Sequence, residues 1–285
     1  MGKSMSRQFN PRDLITENLA TAPAVFHHLQ TALADPNTTF EDYAEIIQAD
    51  TSLAARLLKI ANSPFFGFES KVQSITHAMS VIGLEQIIDL ALASLVMDKF
   101  QGIPKELVLV DAFWRHSIAT GICARLIARH LEKHNAELAY LMGLLHDLGS
   151  LILYRQIPVQ SRLIISEAEA DGRHLFDLER EILGFNHSEM GALLLMEWGL
   201  PPVFYETIAH IHQPSRAGEN REIATIIHLA DCAAYFMGLG TSGEPGQPEV
   251  EPGSLNAIGL SNEDFAGIQD KTLGQYSYTV EMYLI

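Results

Sequence analysis

The chain has 285 residues, of which 47% are hydrophobic and 19% are charged, a composition typical of one large or two small globular domains. Its 35 acidic residues outnumber the 19 basic ones, which gives a formal net charge of −16. A strongly acidic chain without a basic stripe is not expected to bind nucleic acid, because phosphate backbones attract clustered lysine and arginine.

The sequence also predicts a cytoplasmic protein that does not enter a membrane. No apolar run follows the charged residues near its start, as a signal peptide would require. The most apolar window, residues 81–97, contains Glu85 and Asp89 and is not expected to span a bilayer. Cys123 and Cys232 lie in apolar helical stretches, so buried free thiols in a reducing compartment are expected instead of a disulfide.

The first part of the chain, residues 12–103, is predicted to form an N-terminal helical lobe. Thr38 and Glu41 form a capping box at the start of one helix, and helices are predicted over residues 51–62 and 76–100. The lobe contains histidines but no paired carboxylate motif, so these are predicted to be surface or packing residues: His27, His28 and His77.

A composition shift at residues 101–105 predicts a hinge, followed by a second helical lobe over residues 104–240. Residues 238–253 are rich in Gly, Pro, Ser and Glu and predict a flexible loop. The C-terminal segment, residues 241–285, combines this loop with one or two short closing helices that begin near Ser261. No alternating run of strand length is present, so the fold class is predicted to be all-α, a two-lobe helical bundle.

The pair His146-Asp147 is the most informative feature of the second lobe. An imidazole followed by a carboxylate at the end of an apolar stripe could hold a transition metal, since burial alone would select neither residue. The alternative is a helix C-terminus at which both side chains face solvent and Gly149 is the cap.

Further candidate ligands lie on other predicted helices. Asn186 is predicted to cap a helix that begins at His187, with Glu189 completing a capping box. His210 and His212 both end an apolar segment before Pro214, and at helical spacing they cannot easily face one site. The remaining candidates are His116, Asp231 and His228, the last either hydrogen-bonded to Asp231 or simply packed. Solvent exposure is predicted for His130, His134 and His174.

These motifs resemble the HD superfamily of metal-dependent phosphohydrolases, and most closely its HDOD branch of bacterial signalling output domains. Three blocks carry the resemblance: residues 61–67 with 74–84 and the apolar helix 87–96, residues 114–117 through 146–149, and residues 183–195 with 198–202 and 212–214. The resemblance implies an HD-like fold for the second lobe. It also implies that His116, His146, Asp147 and Asp231 are core metal ligands and that Asp147 is the catalytic residue.

His187 and His212 match positions that supply a second metal in the related HD-GYP enzymes. His212 is favoured over His210 because it stands two residues before Pro214. Imidazole and carboxylate ligands suit iron or manganese, with zinc or nickel as alternatives, and the predicted content is one or two ions. Two motifs of the HD-GYP enzymes are absent, since Ser150 replaces their lysine and Gln213-Pro214 replaces their Gly-Tyr-Pro segment.

The sequence therefore supports two functions. The first is a signalling or regulatory output module with a retained metal site and an unidentified protein partner. The alternative is an active metal-dependent phosphohydrolase that acts on a small phosphorylated or nucleotide substrate. Arg115 and Arg155 are the expected sources of positive charge near an anionic ligand.

Overall fold

The computed structural model describes residues 9–62, 68 and 70–283, and within these ranges it contains helices and turns but no β-strand. The all-α prediction is confirmed. The Phe65-Phe66-Gly67 part of the first motif lies outside the described residues. In chain order, the helices are α1 (Pro11–Leu14), α2 (Glu17–Ala20), α3 (Ala24–Ala34), α4 (Phe40–Gln48), α5 (Thr51–Ala61), α6 (Ile75–Ile82), α7 (Leu84–Lys99), α8 (Val110–Leu131), α9 (Ala136–Leu145), α10 (Leu148–Gln156), α11 (Pro158–Asp171), α12 (Leu175–Leu183), α13 (His187–Glu197), α14 (Pro202–Ile208), α15 (Arg221–Phe236), α16 (Ser254–Ile258) and α17 (Asn262–Tyr283).

The chain forms two compact units. One contains residues 22–101 and 273–285, and the other contains residues 1–21 and 102–272. The second unit holds every candidate metal ligand, and it is called the site unit below. The domain borders predicted from the sequence, at residues 103–104 and 240–241, stay a prediction.

Two helix boundaries in the first unit differ from the sequence prediction. Helix α4 is capped by Thr39 and Asp42 and not by Thr38 and Glu41. The hydroxyl of Thr38 instead donates to Ala32 O at 2.9 Å, so it is held by the preceding helix. The helix predicted over residues 76–100 is broken at Gly83, whose φ of 114° is a conformation that side chains rarely allow.

The core of the site unit is built around α8, α9, α10, α13 and α15. Helix α8 packs against α9 and α15, and α10 packs against α13. A Cβ atom on Gly143 of α9 would lie 2.7 Å from Gly121 Cα of α8, so the two helix backbones touch at this crossing. Close contact of this kind holds the end of α9, and hence His146, in a fixed position beside α8.

Helices α9 and α10 are among the most buried segments of the site unit. Together they form the stretch Ala136–Gln156, which is long and apolar enough to cross a membrane, but 83% of its apolar window is buried inside the structure. Burial of this extent is typical of a core helix, and the predicted absence of membrane contact stays a prediction. Cys123 and Cys232 are buried and free, as predicted.

The segment after α15 is more ordered than the sequence indicated. Residues 237–253 form no regular helix, yet they are fixed to the core by Thr241 N–H, which donates to Ala112 O, and by Tyr154, whose hydroxyl donates to Ser242 O. The closing helix α17 is a single element of 22 residues and not one or two short helices. Gly267 and Gly274 lie within it at negative φ, so neither interrupts it.

Candidate metal centre

His146 and Asp147 lie at the junction of α9 and α10. Both are buried, with relative exposures of 1% and 4%, so the solvent-facing alternative is wrong. Gly149 lies inside α10 and is not a helix cap. His146 Nδ1 donates a hydrogen bond to Gly143 O at 2.7 Å, so Nε2 is the nitrogen that faces Asp147 and Asp231.

His116 of α8 and Asp231 of α15 complete one side of the cluster. His116 Nε2 lies 2.8 Å from Asp231 Oδ1, and His146 Nε2 lies 3.5 Å from the same oxygen. Burial opposes ionisation of Asp231, but the hydrogen bond from His116 and the adjacent His146 outweigh it and hold the Asp231 pKa well below its usual range. Asp231 therefore has two histidine partners in the cluster.

His187 occupies the first position of α13 and joins the other side of the cluster. The predicted capping box of Asn186 and Glu189 is present and fixes this helix start. His187 Nε2 lies 3.6 Å from Asp147 Oδ1 and 2.7 Å from His212 Nε2. The predicted ligands from separate helices thus meet at Asp147.

Glu179 of α12 is a residue of the site that the sequence analysis missed. It is only 3% exposed, and its Oε2 accepts hydrogen bonds from His187 N–H at 2.8 Å and from His187 Nδ1 at 2.6 Å. Burial opposes protonation of His187, but the charge and hydrogen bond of Glu179 raise its pKa to about 10. Burial and the neighbouring His187 charge lower the pKa of His212 to about 3, so His212 is a neutral acceptor.

Five of the six predicted ligands form two donor groups that share Asp147. The first group is His116, His146 and Asp147, and the second is Asp147, His187 and His212; in each group the candidate ligand atoms lie within 4.8 Å of one another. Asp231 lies against the first group through its contacts with His116 and His146. Shared carboxylates are common where two metal ions are bound close together.

The donor atoms fit a divalent metal. Three buried atoms of the cluster have no hydrogen-bond partner among the described residues: His116 Nδ1, His146 Nε2 and Asp147 Oδ1. Buried polar atoms are rarely left unpaired, because they lose their hydrogen bonds to water without replacement. A metal ion would supply the missing partner, and imidazole with carboxylate is a donor set that iron, manganese, zinc and nickel accept.

A cleft of about 350 Å³ opens beside His212 and Asp231, and we call it the acidic cleft. Its charged lining is dominated by carboxylates, and Arg216 is the only lysine or arginine among its described lining residues. These acidic residues are Asp177, Asp231, Glu244, Glu249 and Glu251. Burial and the charges of Asp147 and Asp231 raise the pKa of Glu244 to about 7, against an opposing effect of His187. Glu244 comes from the segment predicted as a flexible loop.

The aromatic ring of Phe176 stacks on His212 with centroids 4.7 Å apart and planes within 4°. His174 stacks on Phe176 in turn and lines the acidic cleft, where it is partly exposed, although solvent exposure was all that the sequence predicted for it. His228 also lines the cleft, where its Nε2 accepts a hydrogen bond from Glu251 N–H at 2.9 Å. The sequence predicted either a hydrogen bond from His228 to Asp231 or simple packing. The hydrogen bond with Glu251 is neither of these.

The histidines predicted to be exposed have mixed environments. His130 is 42% exposed and lies 3.8 Å from Asp264, while His134 is less exposed and lies 3.4 Å from Glu222. Arg115 is bound to Asp111 at 2.8 Å on the surface of α8. Neither Arg115 nor Arg155 lines the acidic cleft, so the expected positive contribution at that cleft comes instead from Arg216.

The structure separates His210 from His212. Helix α14 ends at Ile208, so neither histidine lies on the helix that the sequence predicted. His210 Nδ1 bonds to Glu206 O at 3.0 Å, whereas His212 contacts His187. This geometry favours His212 as the ligand.

We expect His212→Ala to lower the bound metal by about one ion per chain and His210→Ala to leave it unchanged, because only His212 reaches the shared donor group. Elemental analysis of both variants, purified without chelators or a histidine tag, checks this. Equal metal content in the two variants, or a loss confined to His210→Ala, would show that the second donor group is wrongly assigned.

Known proteins similar to this chain share its fold. Solved structures include an HDOD domain protein of unknown function from Geobacter sulfurreducens, with 24% identity, a TM-score of 0.69 and coverage of 89% of this chain and 83% of that one. A candidate phosphohydrolase from Shewanella amazonensis SB2B has 23% identity, a TM-score of 0.71 and coverage of 95% and 98%. A candidate signal transduction protein from Marinobacter aquaeolei VT8 has 21% identity, a TM-score of 0.76 and coverage of 96% and 66%.

A relative in sequence is an uncharacterized protein of Treponema pallidum (strain Nichols), 24% identical over 273 residues. The match covers 93% of this chain but only 50% of the relative, so the chain spans about half of that protein's length. The family model for the HDOD domain matches residues 19–214, which is more than half of the chain. The chain therefore belongs to the HDOD domain family.

Proposed function

We propose that this HDOD domain is a signalling module whose metal centre hydrolyses a phosphate ester of a small ligand. The observation that carries the proposal is the pair of buried donor groups that share Asp147 beside an open cleft. Among proteins of similar fold, one is named a candidate phosphohydrolase and another a candidate signal transduction protein. Both names agree with a domain that combines the two roles.

Bound divalent metals would supply Lewis acidity that activates water and neutralises charge on a phosphoryl group, and iron or manganese suits these ligands best. The chain's own residues prepare the site. Gly143 O and Glu179 accept hydrogen bonds at the Nδ1 atoms of His146 and His187, which directs both Nε2 atoms toward the cluster. The negative charges of Asp147 and Asp231 offset the charge of a bound cation in this buried position.

The acidic cleft sets the size and charge of the ligand. Its volume of about 350 Å³ lies at the small end of the usual range for ligand pockets. His212 and Asp231 form the part of its wall that belongs to the cluster, so a ligand in the cleft reaches the metal centre directly. The many carboxylates disfavour a highly charged anion such as a nucleoside triphosphate, and they favour a ligand of low net negative charge.

A second candidate function is a regulatory module in which the metal has a structural role and a protein partner reads the state of the domain. The scarcity of positive charge at the site favours the regulatory module over the hydrolase. Position 150 is a serine and the acidic cleft contains a single arginine, so little of the lining attracts phosphate apart from the metal itself. The partner is expected to be a signalling protein, and no nucleic acid or membrane is expected to bind.

The test is an activity assay on protein loaded with Fe²⁺, Mn²⁺, Zn²⁺ or Ni²⁺. Suitable probes are p-nitrophenyl phosphate, bis(p-nitrophenyl) phosphate and a panel of nucleotides. We expect metal-dependent turnover that falls at least about a hundredfold in Asp147→Asn, since both donor groups lose their shared ligand. His130→Ala, which alters an exposed histidine outside the cluster, serves as the control.

Metal binding without turnover of any probe would contradict hydrolysis and support the regulatory module. Failure to bind metal under all four conditions would contradict both candidate functions. Turnover that persists in Asp147→Asn would show that the activity comes from another site or from a contaminating enzyme.

A further inference from the structure

The two histidines of the second donor group are held in different ways. His187 Nδ1 is bonded to the buried carboxylate of Glu179 at 2.6 Å, which fixes the orientation of its ring. His212 contacts His187 through Nε2, but none of the described residues forms a hydrogen bond with its Nδ1 atom. Histidine ligands of metals are usually oriented by a hydrogen bond at the second ring nitrogen, so His212 needs another means of orientation.

Phe176 of α12 supplies a contact that can orient His212. The two rings are parallel within 4°, and their centroids are 4.7 Å apart. His174 stacks on Phe176 in turn at 5.5 Å, so the phenyl ring is itself held in place. A parallel stack uses the face of the imidazole and not its nitrogen atoms. It therefore restricts the plane of the His212 ring while leaving Nε2 free to bind a metal ion.

Helix α12 thus supports both histidines of the second donor group. Phe176 and Glu179 are three residues apart in this helix, and at that spacing their side chains lie on one face. Among the described residues, their ring and hydrogen-bond contacts within the cluster are with His212 and His187. A change at Phe176 is therefore expected to act on the second donor group and not on the first.

We infer that Phe176 is a positioning residue, which holds the His212 ring in the orientation that the second metal ion requires. The inference rests on the metal centre of the proposed function and not on hydrolysis. Stacked aromatic pairs contribute a modest free energy beyond the burial of their surface, which corresponds to about a two- to tenfold change in affinity.

The test is calorimetric titration of metal-free protein with Mn²⁺, analysed for two binding steps. We expect Phe176→Leu to weaken one step by about two- to tenfold and to leave the other unchanged, since leucine occupies the space without offering a parallel ring. Phe176→Met is a second variant, because its flexible side chain adapts to the same space if leucine does not. Phe176→Tyr keeps the ring and should retain the wild-type affinity at both steps.

Phe265→Leu is the matched control, because Phe265 is a partly buried phenylalanine of α17 that does not line the acidic cleft. It should leave both binding steps unchanged. In a His212→Ala background, Phe176→Leu should cause no further loss of metal affinity, since the residue through which it acts is then absent. Melting temperatures of all variants without metal show whether each one folds.

Unchanged affinity in Phe176→Leu and Phe176→Met, or equal weakening of both binding steps, would overturn the inference. So would an equal loss in Phe265→Leu, a further loss in the His212→Ala background, or a Phe176→Tyr variant as weak as Phe176→Leu. Failure of the wild-type protein to bind Mn²⁺ would refute the inference together with the metal centre. Metal binding that responds to Phe176 as expected while the hydrolysis assay fails would uphold the inference and refute only the proposed hydrolysis.

Discussion

Asp147→Asn is expected to weaken metal binding at both donor groups at once. The residue belongs to both donor groups, so a neutral amide in its place weakens each of them. In the wild-type protein, metal at a hundred times its dissociation constant should stabilise the fold by about 2.7 kcal/mol. For a domain of this size, that stabilisation corresponds to a rise in melting temperature of roughly 5–10 °C.

The measurement is the melting temperature of wild type and Asp147→Asn with and without added metal, together with the metal content of each. Asp111→Asn is a suitable control because Asp111 is an exposed partner of Arg115, a type of surface pair that contributes little to stability. We expect the metal-dependent rise in wild type and in the control but not in Asp147→Asn. A full rise in Asp147→Asn would refute the shared role of this carboxylate.

Gly149→Ala is expected to lower the free energy of unfolding of the site unit by far more than a typical surface substitution does. A Cβ atom at residue 149 would lie 1.8 Å from His187 O and 2.6 Å from Gly191 N, and both of these are backbone atoms of α13. Because backbone cannot move aside as a flexible side chain can, α10 and α13 would have to separate. We expect a loss of at least about 3 kcal/mol, the upper part of the range for overpacked cores.

The matched control is Gly267→Ala in α17, where an added Cβ would meet nothing within 4 Å. That substitution should be neutral or stabilise the protein by up to about 1 kcal/mol, because alanine favours helix over glycine. Chemical denaturation of both variants, with the soluble yield on expression as a second measurement, checks the comparison. Similar stability for the two variants would show that α10 and α13 are less closely packed than the structure indicates.

The sequence predicted those parts of the site that depend on local pattern. The capping box of Asn186 and Glu189 placed His187 at a helix start, and the apolar run before His146 indicated burial. The convergence of residues 116 to 231 could not be worked out from spacing alone, and it came from the family resemblance. The ligand assignments themselves stay predictions, which the variants of Asp147 and His212 address.

Glu179 and Glu244 show why the remainder of the site was missed. Each resembles an ordinary surface glutamate in the sequence, and only the packing of α12 and of the segment after α15 brings it to the cluster. The break at Gly83 was missed for a related reason, since glycine within an apolar helical pattern is compatible with a continuous helix. Composition likewise indicated flexibility for residues 238–253, although their contacts with Ala112 and Tyr154 tie them to the core.

The shared donor groups have a consequence for the folding of the chain. Their members come from α8, the junction of α9 and α10, α13 and the segment after α14, so ions bound there would cross-link four distant stretches of polypeptide. Because the unfolded chain does not hold these ligands together, an ion would bind the folded form alone and would stabilise it by its binding free energy. Metal supply in the cell would then control the rigidity and lifetime of the domain, independently of any reaction it carries out.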